Sequence, residues 1–539
     1  MKRLALVVLV AATSSSTARA GGLYFADRGV RPLARGGAFV AGADDLGAMW
    51  YNPAGLVDAQ GTMLADASVM LFNASFTWSY QVVGDAGAIL TCNLCGPTVS
   101  GNTPPLAIPT LGIAFPVGAD RKLTLGAGVF APYAPLLEWP ETAPDGTPAP
   151  SRYALVSLEG SLLAVADLFA AYKITEQLRV GVGLQALVGT FQSTVDLNAN
   201  PGLLGPKLDP DYDALTETRA TIVTPSANLG VTWIPAKAIR FGLAGQLPYW
   251  IDAPASVRVR LPNAPIFDNA SQSGEDANVK FRLPAHVRAG VEVRPIDALR
   301  VELSWEHQFW SLHDTIDITP HDIQLVGVTG FPSPYSIPPI SIQRHFQDSD
   351  SVHLGGEYRI DVSPTVKLDL RLGFAFETSA VPPAYESALT VDGNKLTFAG
   401  GAGLTIDRTR IDATFAYVTM LDVDVPASEA ALNVINPVSG YPPPPGPPNG
   451  AINGGRYTAS APIIGLGFQY QFDVTPPRPS PPPPPSRPPP PPPPAPPPSP
   501  PPPPPSPPPE AAPEVAPEAA PAHKPHKKKK HHKHTPQAH

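Results

Sequence analysis

The chain runs to 539 residues, with 73 Pro, 45 Gly, 16% charged residues and a formal net charge of −8. Residues 476–539 hold eight of the 38 Lys and Arg but only three Glu, which leaves the body of the chain more acidic than the whole and argues against nucleic acid as a partner. No run of about twenty uninterrupted apolar residues is present, so a membrane location would require strands closed into a barrel.

In chain order, Lys2 and Arg3, the apolar run 4–12 and Ala18-Arg19-Ala20 read as a secretory signal peptide over 1–20. Next comes GGAFVAGADDLGAMWYNPAGL, residues 36–56. Its small residues allow close backbone packing, Asp44 and Asp45 suit the start of a short helical turn, and Pro53 stops any helix at Asn52. A compact plug over 21–63 is expected. The glycine/alanine run, acidic pair and Asn52-Pro53-Ala54 triplet resemble, in order, the N-terminal hatch of the FadL-type outer-membrane transporters of long-chain fatty acids and other hydrophobic compounds.

Cys92 and Cys95 lie in T-C-N-L-C-G. Without a thioredoxin-like βαβ pattern or further metal ligands, the pair reads as a disulfide stapling a loop.

From 64 to 475 the dominant signal is alternation with a period of two. Leu299, Val301, Leu303, Trp305, His307 and Phe309 oppose Arg300, Glu302, Ser304, Glu306 and Gln308. Val366, Leu368, Leu370, Leu372, Phe374 and Phe376 oppose Lys367, Asp369, Arg371 and Glu377. Val279, Phe281, Leu283, Ala285, Val287, Ala289, Val291 and Val293 read as one apolar face against Lys280, Arg282, His286, Arg288, Glu292 and Arg294. Runs this long span a bilayer when tilted, apolar face to lipid and charged face to a lumen. Short turns alternate with long Pro- and Asn-rich loops, the first periplasmic and the second external. The expected strands are 64–80, 106–117, 123–133, 153–174, 178–197, 217–234, 239–260, 278–295, 299–318, 350–360, 366–380, 395–406, 410–425 and 457–472. The fold class is therefore all-β: a 14-stranded antiparallel transmembrane β-barrel with an N-terminal hatch in its lumen.

Fourteen is also the FadL-type count. Leu283-Pro284-Ala285, Gly355-Gly356-Glu357-Tyr358-Arg359 and Ala461-Pro462-Ile463 resemble three of that family's strands. The third strand holds Gly126, Gly128 and Pro132, residues that weaken or interrupt a ladder. The resemblance implies a kink there, a gap in the wall filled from inside by Asn52, Pro53 and Ala54, and passive lateral exit of a hydrophobic ligand toward membrane lipid. Leu203, Leu204 and Leu208 in one long loop, with Ile266 and Phe267 in the next, are candidates for ligand entry or for small loop cores.

The charged inner row suits either a clamp on a plug or a general diffusion porin for polar solutes. No phosphate-binding loop, cofactor motif or metal set is found. Ser311, His313 and Asp314 do not share a strand face, so no enzyme is expected. Beyond 475 the chain turns to proline and ends in a Lys/His-rich segment. Residues 476–539 read as a disordered, extended periplasmic tail, either solvated or tethering the barrel to peptidoglycan.

Overall fold

A computed structural model describes residues 29–83, 89–132, 137–201, 209–438 and 451–473. The expected signal peptide, the tail 476–539 and Leu203, Leu204 and Leu208 lie outside the described residues.

Fourteen antiparallel strands close into a barrel. β1 is Thr62–Met70 continued by Asn73–Trp78, β2 Thr98–Asn102 continued by Leu106–Val117, and β3 Leu123–Phe130. β4 is Leu162–Lys173, β5 Leu178–Asn198 and β6 Asp213–Ala236. Three interrupted strands follow: β7 (Ile239–Gln246, Tyr249–Arg260), β8 (Asp276–Leu283, His286–Ile296) and β9 (Leu299–Gln308, Thr315–Pro320). β10 is Ile340–Gln343 and Ser349–Asp361, β11 Val366–Glu377, β12 Lys395–Ile406, β13 Thr409–Met420 and Val423–Val425, and β14 Gly455–Gln471. Closure is direct, because Leu64 of β1 faces Gly112 of β2 on one side and Gln469 of β14 on the other.

No helix among the described residues is long and apolar enough to cross a membrane. The strands cross instead. Leu168, Leu184, Leu229, Leu372, Phe415 and Leu466 point outward, Leu372 at 75% exposure. At about 25 cal/mol per Å² of apolar surface, such a belt is tenable only against lipid.

The alternation read along β8 is corrected by the structure. Val287, Val291 and Val293 face out and Arg288 and Glu292 face in, but Val279, Phe281 and Leu283 also face in. Two residues, Pro284 and Ala285, separate Leu283 from His286, and a shift of one in the period of two inverts every later side chain. β7 makes the same switch across Leu247-Pro248, from Ala244 and Gln246 to Tyr249 and Ile251. β9 is also interrupted, by a turn at Trp310–Leu312, but keeps its phase, with Gln308 before the turn and Ile316 after it both facing in. Proline removes a ladder donor at the first two breaks. At the third, His313 Nδ1 donates to the Arg282 carbonyl at 2.7 Å, a side-chain bond where the backbone ladder is interrupted.

One expected strand is shorter than read. β4 begins at Leu162 rather than 153, because Leu155 and Leu158 pack with Leu137, Trp139, Phe76 and Tyr457 in a core under the external loops. Cys92 and Cys95 form the expected disulfide, with Cα atoms 5.9 Å apart.

Candidate functional site: a clamped hatch beneath an apolar cavity

The lumen divides into two halves. In the half toward the short turns, the plug is held by charge. Its first helix, α1 (Val30–Ala34), carries Arg31, which donates to Asp44 at 2.6 Å, Asp45 at 3.0 Å and Glu357 at 2.9 Å. Glu302 on β9 accepts the backbone N–H groups of Val40, Ala41 and Gly42 at 2.6, 2.8 and 2.9 Å, and Arg35 at 3.1 Å. Arg300 reaches Asp44 at 2.7 Å and Glu292 at 2.8 Å. Arg371 and Arg410 meet on Asp412, both at 2.6 Å, and Arg410 returns to Asp45 at 2.8 Å. Each buried charge here is paired and hydrogen-bonded, the condition under which burial is tolerable. The inner charged row is therefore a clamp on the hatch.

Glycines let the plug sit against the wall. A Cβ at Gly355 or Gly373 would strike the Arg35 backbone, and one at Gly181 would strike Pro53. The Asn52-Pro53-Ala54 triplet seats on β5 and β6: Asn52 Nδ2 donates to Val40 O at 2.8 Å, Thr232 Oγ1 at 3.1 Å and Val231 O at 3.2 Å. The triplet does not meet the end of β3. Met49 and Trp50 of α2 (Ala48–Tyr51) do so, Met49 against Gly112 and Gly128 and Trp50 edge-on to Phe130 with centroids 5.4 Å apart.

Gly126 and Gly128 sit in regular rungs, facing Ala114 and Gly112 on β2 and Phe169 and Asp167 on β4. Their role is space, since a Cβ at Gly126 would enter the Phe169 ring and one at Gly128 would enter Met49. The ladder stops at Phe130, and Pro132 lies buried just beyond the last rung. Above it, the wall between β2 and β5 is bridged only at Glu138 and Ser157 among the described residues.

In the half toward the long loops the lumen is apolar. The loop-side segments of β7, β8 and β9 supply Tyr249, Ile251, Val279, Phe281 and Ile316, with Trp310 from the turn in β9. Val279 and Ile316 line a cavity of about 560 Å³ together with Phe191, Ile318, Ile342, Leu389 and Ile435 among others. A tighter, almost wholly apolar space of about 80 Å³ adjoins it through Val195, Ile318, Ile342 and Ile435. Phe267, an expected entry residue, lines this second space, and Ile266 packs against the loop core around it.

One cation faces the large cavity: Arg344, 1% exposed. It lies 4.7 Å above the Phe346 ring and donates to Thr390 Oγ1, while its Nε has no partner and no carboxylate is within ion-pair distance among the described residues. Burial lowers its pKa to about 10. The acidic group bearing on it, Glu386, is pushed well above the carboxylate range by burial and by the nearby Asp392. Sequence alternation could not flag Arg344, which precedes the long segment of β10 and follows no strand pattern. The prolines at 248 and 284 were the available signal for the inverted faces.

The family model described as outer membrane protein transport protein (OMPP1/FadL/TodX) matches residues 10–472. A Pseudomonas aeruginosa FadL homologue is similar in structure, with TM-score 0.63 and 15% identity over 84% of this chain and 100% of that one. The toluene transporter TodX of P. putida gives 0.55 and 14%, over 84% and 100%. The toluene transporter TbuX of Ralstonia pickettii gives 0.53 and 17%, over 83% and 99%. No curated protein sequence matches. A closed fourteen-stranded wall, a charge-clamped plug and a family match over most of the chain lead to one assignment: this protein belongs to the FadL/TodX family of outer-membrane transport proteins for hydrophobic compounds.

Proposed function

We propose that this barrel passively carries hydrophobic molecules with a carboxylate head, long-chain fatty acids foremost. The observation that carries this reading is Arg344, a buried cation with no carboxylate in ion-pair distance among the described residues, facing a cavity lined mostly by apolar side chains. An unpaired buried charge costs several kcal/mol, which an anionic ligand group would offset, and guanidinium suits a carboxylate bidentately. The apolar chain would occupy the lumen around Phe191, Ile318 and Ile342, gaining about 0.8 kcal/mol per methylene removed from water. The family members whose structures are named for toluene carry a neutral hydrocarbon; Arg344 is what argues for an acid here.

Lateral exit beyond Phe130 would follow from displacement of Met49 and Trp50 rather than of Asn52-Pro53-Ala54. A polar diffusion porin is the weaker reading, because the charged half of the lumen is filled by the hatch. Uptake of labelled oleate and labelled toluene by cells producing the wild type or Arg344→Leu decides the substrate. Loss of oleate uptake with toluene uptake unchanged supports the acid. Equal uptake of oleate by both proteins removes it. For the Lys/His-rich tail, binding to peptidoglycan at low salt is proposed on its composition alone, and co-sedimentation with cell-wall sacculi, lost on truncation at Thr475, tests it.

A further inference from the structure

The barrel wall is dented between β8 and β9. Their ladder runs from Ala277–Pro320 to Lys280–Asp317 and resumes only at His286–Gln308, because β9 leaves the sheet through the turn at Trp310–Leu312. The dent is a cleft of about 570 Å³, lined by Trp250, Asp252, Lys280, Arg282, Asp314 and Asp317 among others. These side chains face away from the lumen. Trp250 is 68% exposed and stands directly across the ladder from Arg282, as Asp252 stands across from Lys280, while their neighbours Ile251 and Phe281 point inward.

The charges in the cleft are unequally satisfied. Lys280 pairs with Asp252 at 3.0 Å and His345 with Asp314 at 2.8 Å, and Asp317 accepts from the hydroxyls of Thr315 and Ser341. Arg282 differs. Its carbonyl accepts from His313, but its exposed guanidinium has no hydrogen-bond or ion-pair partner among the described residues. The level of the cleft on the wall is equally specific. On its short-turn side, Leu243 and Leu247 of β7 and Leu303 of β9 belong to the exposed apolar belt, and on its loop side Arg258 and Arg260 of β7 are exposed. An exposed Trp at such a border marks the aromatic girdle of a membrane barrel, and long loops are external, so the cleft opens at the headgroups of the outer leaflet.

We propose that this cleft binds the head of a phosphorylated glycolipid of the outer leaflet. Arg282 takes a phosphate through its planar fork of donors. Sugar hydroxyls donate to Asp252 and Asp314, and the sugar ring lies against the Trp250 indole, a broad apolar platform. The acyl chains then run over Leu247 and Leu243, in line with the apolar belt. The carboxylates decide between headgroups. A plain anionic phospholipid brings its charge beside Asp252, Asp314 and Asp317 with few hydroxyls to offset the repulsion, and free phosphate brings neither hydroxyl-bearing ring nor chain.

The test uses full-length barrels in detergent, with native mass spectrometry measuring the lipid each retains. The probes are diphosphorylated lipid A, its dephosphorylated form, phosphatidylglycerol and inorganic phosphate. The wild type retains lipid A about tenfold better than phosphatidylglycerol, and dephosphorylation costs about tenfold. In Arg282→Ala that second cost disappears, and Trp250→Ala weakens both forms of lipid A. Equal retention of lipid A and phosphatidylglycerol overturns the glycolipid, and displacement by inorganic phosphate at equal concentration overturns a lipid source. A dephosphorylation cost that survives in Arg282→Ala overturns the phosphate site; both lipid forms are compared within one variant, so a lower yield of assembled barrel does not mimic the result. Leu466→Ala, in the lipid-facing belt of β14, retains lipid A as the wild type does, and an equal loss there overturns the site in favour of a non-specific lipid annulus. Should Arg282→Ala fail to assemble, wild-type crystals grown with lipid A decide: headgroup density within hydrogen-bond reach of Arg282 is expected, and an empty cleft overturns the proposal.

Discussion

The two halves of the lumen are built by the same strands and solve opposite problems. Toward the short turns, Glu302, Glu357, Arg300 and Arg371 point inward and hold the plug through paired charges. Toward the long loops, Phe281, Ile316 and Ile342 point inward and leave an apolar space. The difference lies less in composition than in phase. A break of two residues at Pro284 in β8, and another at Pro248 in β7, exchanges the inner and outer faces partway along one strand. A barrel can thus be porin-like at one end and a hydrophobic receptor at the other without changing strand number.

The largest expected effect comes from breaking the charged half. Glu357→Ala leaves Arg31, Arg300 and Arg371 short of a shared partner, at a cost of roughly 3–5 kcal/mol for a buried pair. The hatch should loosen, and purified barrels in planar bilayers should pass a steady ion current that the wild type does not. Unchanged current would mean that the remaining contacts to Glu302 suffice.

A charge placed in the apolar half should act in the opposite way. Ile316→Asp puts a buried carboxylate in the wall of the cavity that Arg344 faces, where it costs desolvation and competes with the ligand for that cation. Uptake of hydrophobic ligand should fall by about tenfold or more, since roughly 1.4 kcal/mol is one decade, while bilayer current stays at the wild-type level. If current rises as well, the halves are not separable.

Gly128→Val probes the boundary between them. The added methyls meet Met49, an overpacking worth about 1–3 kcal/mol. Hatch and β3 should shift together, read as faster hydrogen exchange at Met49 and Trp50. Protection equal to wild type would place Met49 elsewhere.

The smallest effect is a pH dependence in the external loops. Burial raises the Glu386 pKa well above its unfolded value, so the folded loop holds a proton that the unfolded chain gives up. That contribution is complete below the unfolded carboxylate pKa and is lost as pH rises through the raised one. Limited proteolysis of the loop around Glu386 should therefore be slower at pH 6 than at pH 9, and Glu386→Gln should flatten the difference.

What the sequence by itself determined is the barrel and most of its register. Alternation such as 299–308 and 366–377 has a period of two, successive side chains taking opposite faces, and short turns mark where each ladder reverses. The glycine-rich plug was legible too, because close packing leaves a compositional trace. Tertiary structure decided which side of a broken strand faces in, since a proline announces an interruption without saying how many residues it consumes. It also decided that Met49 and Trp50, rather than Asn52-Pro53-Ala54, meet the end of β3, and that Arg344 from an irregular segment is the cation over the cavity. Those are contacts between residues distant in the chain, and strand periodicity carries no information about them.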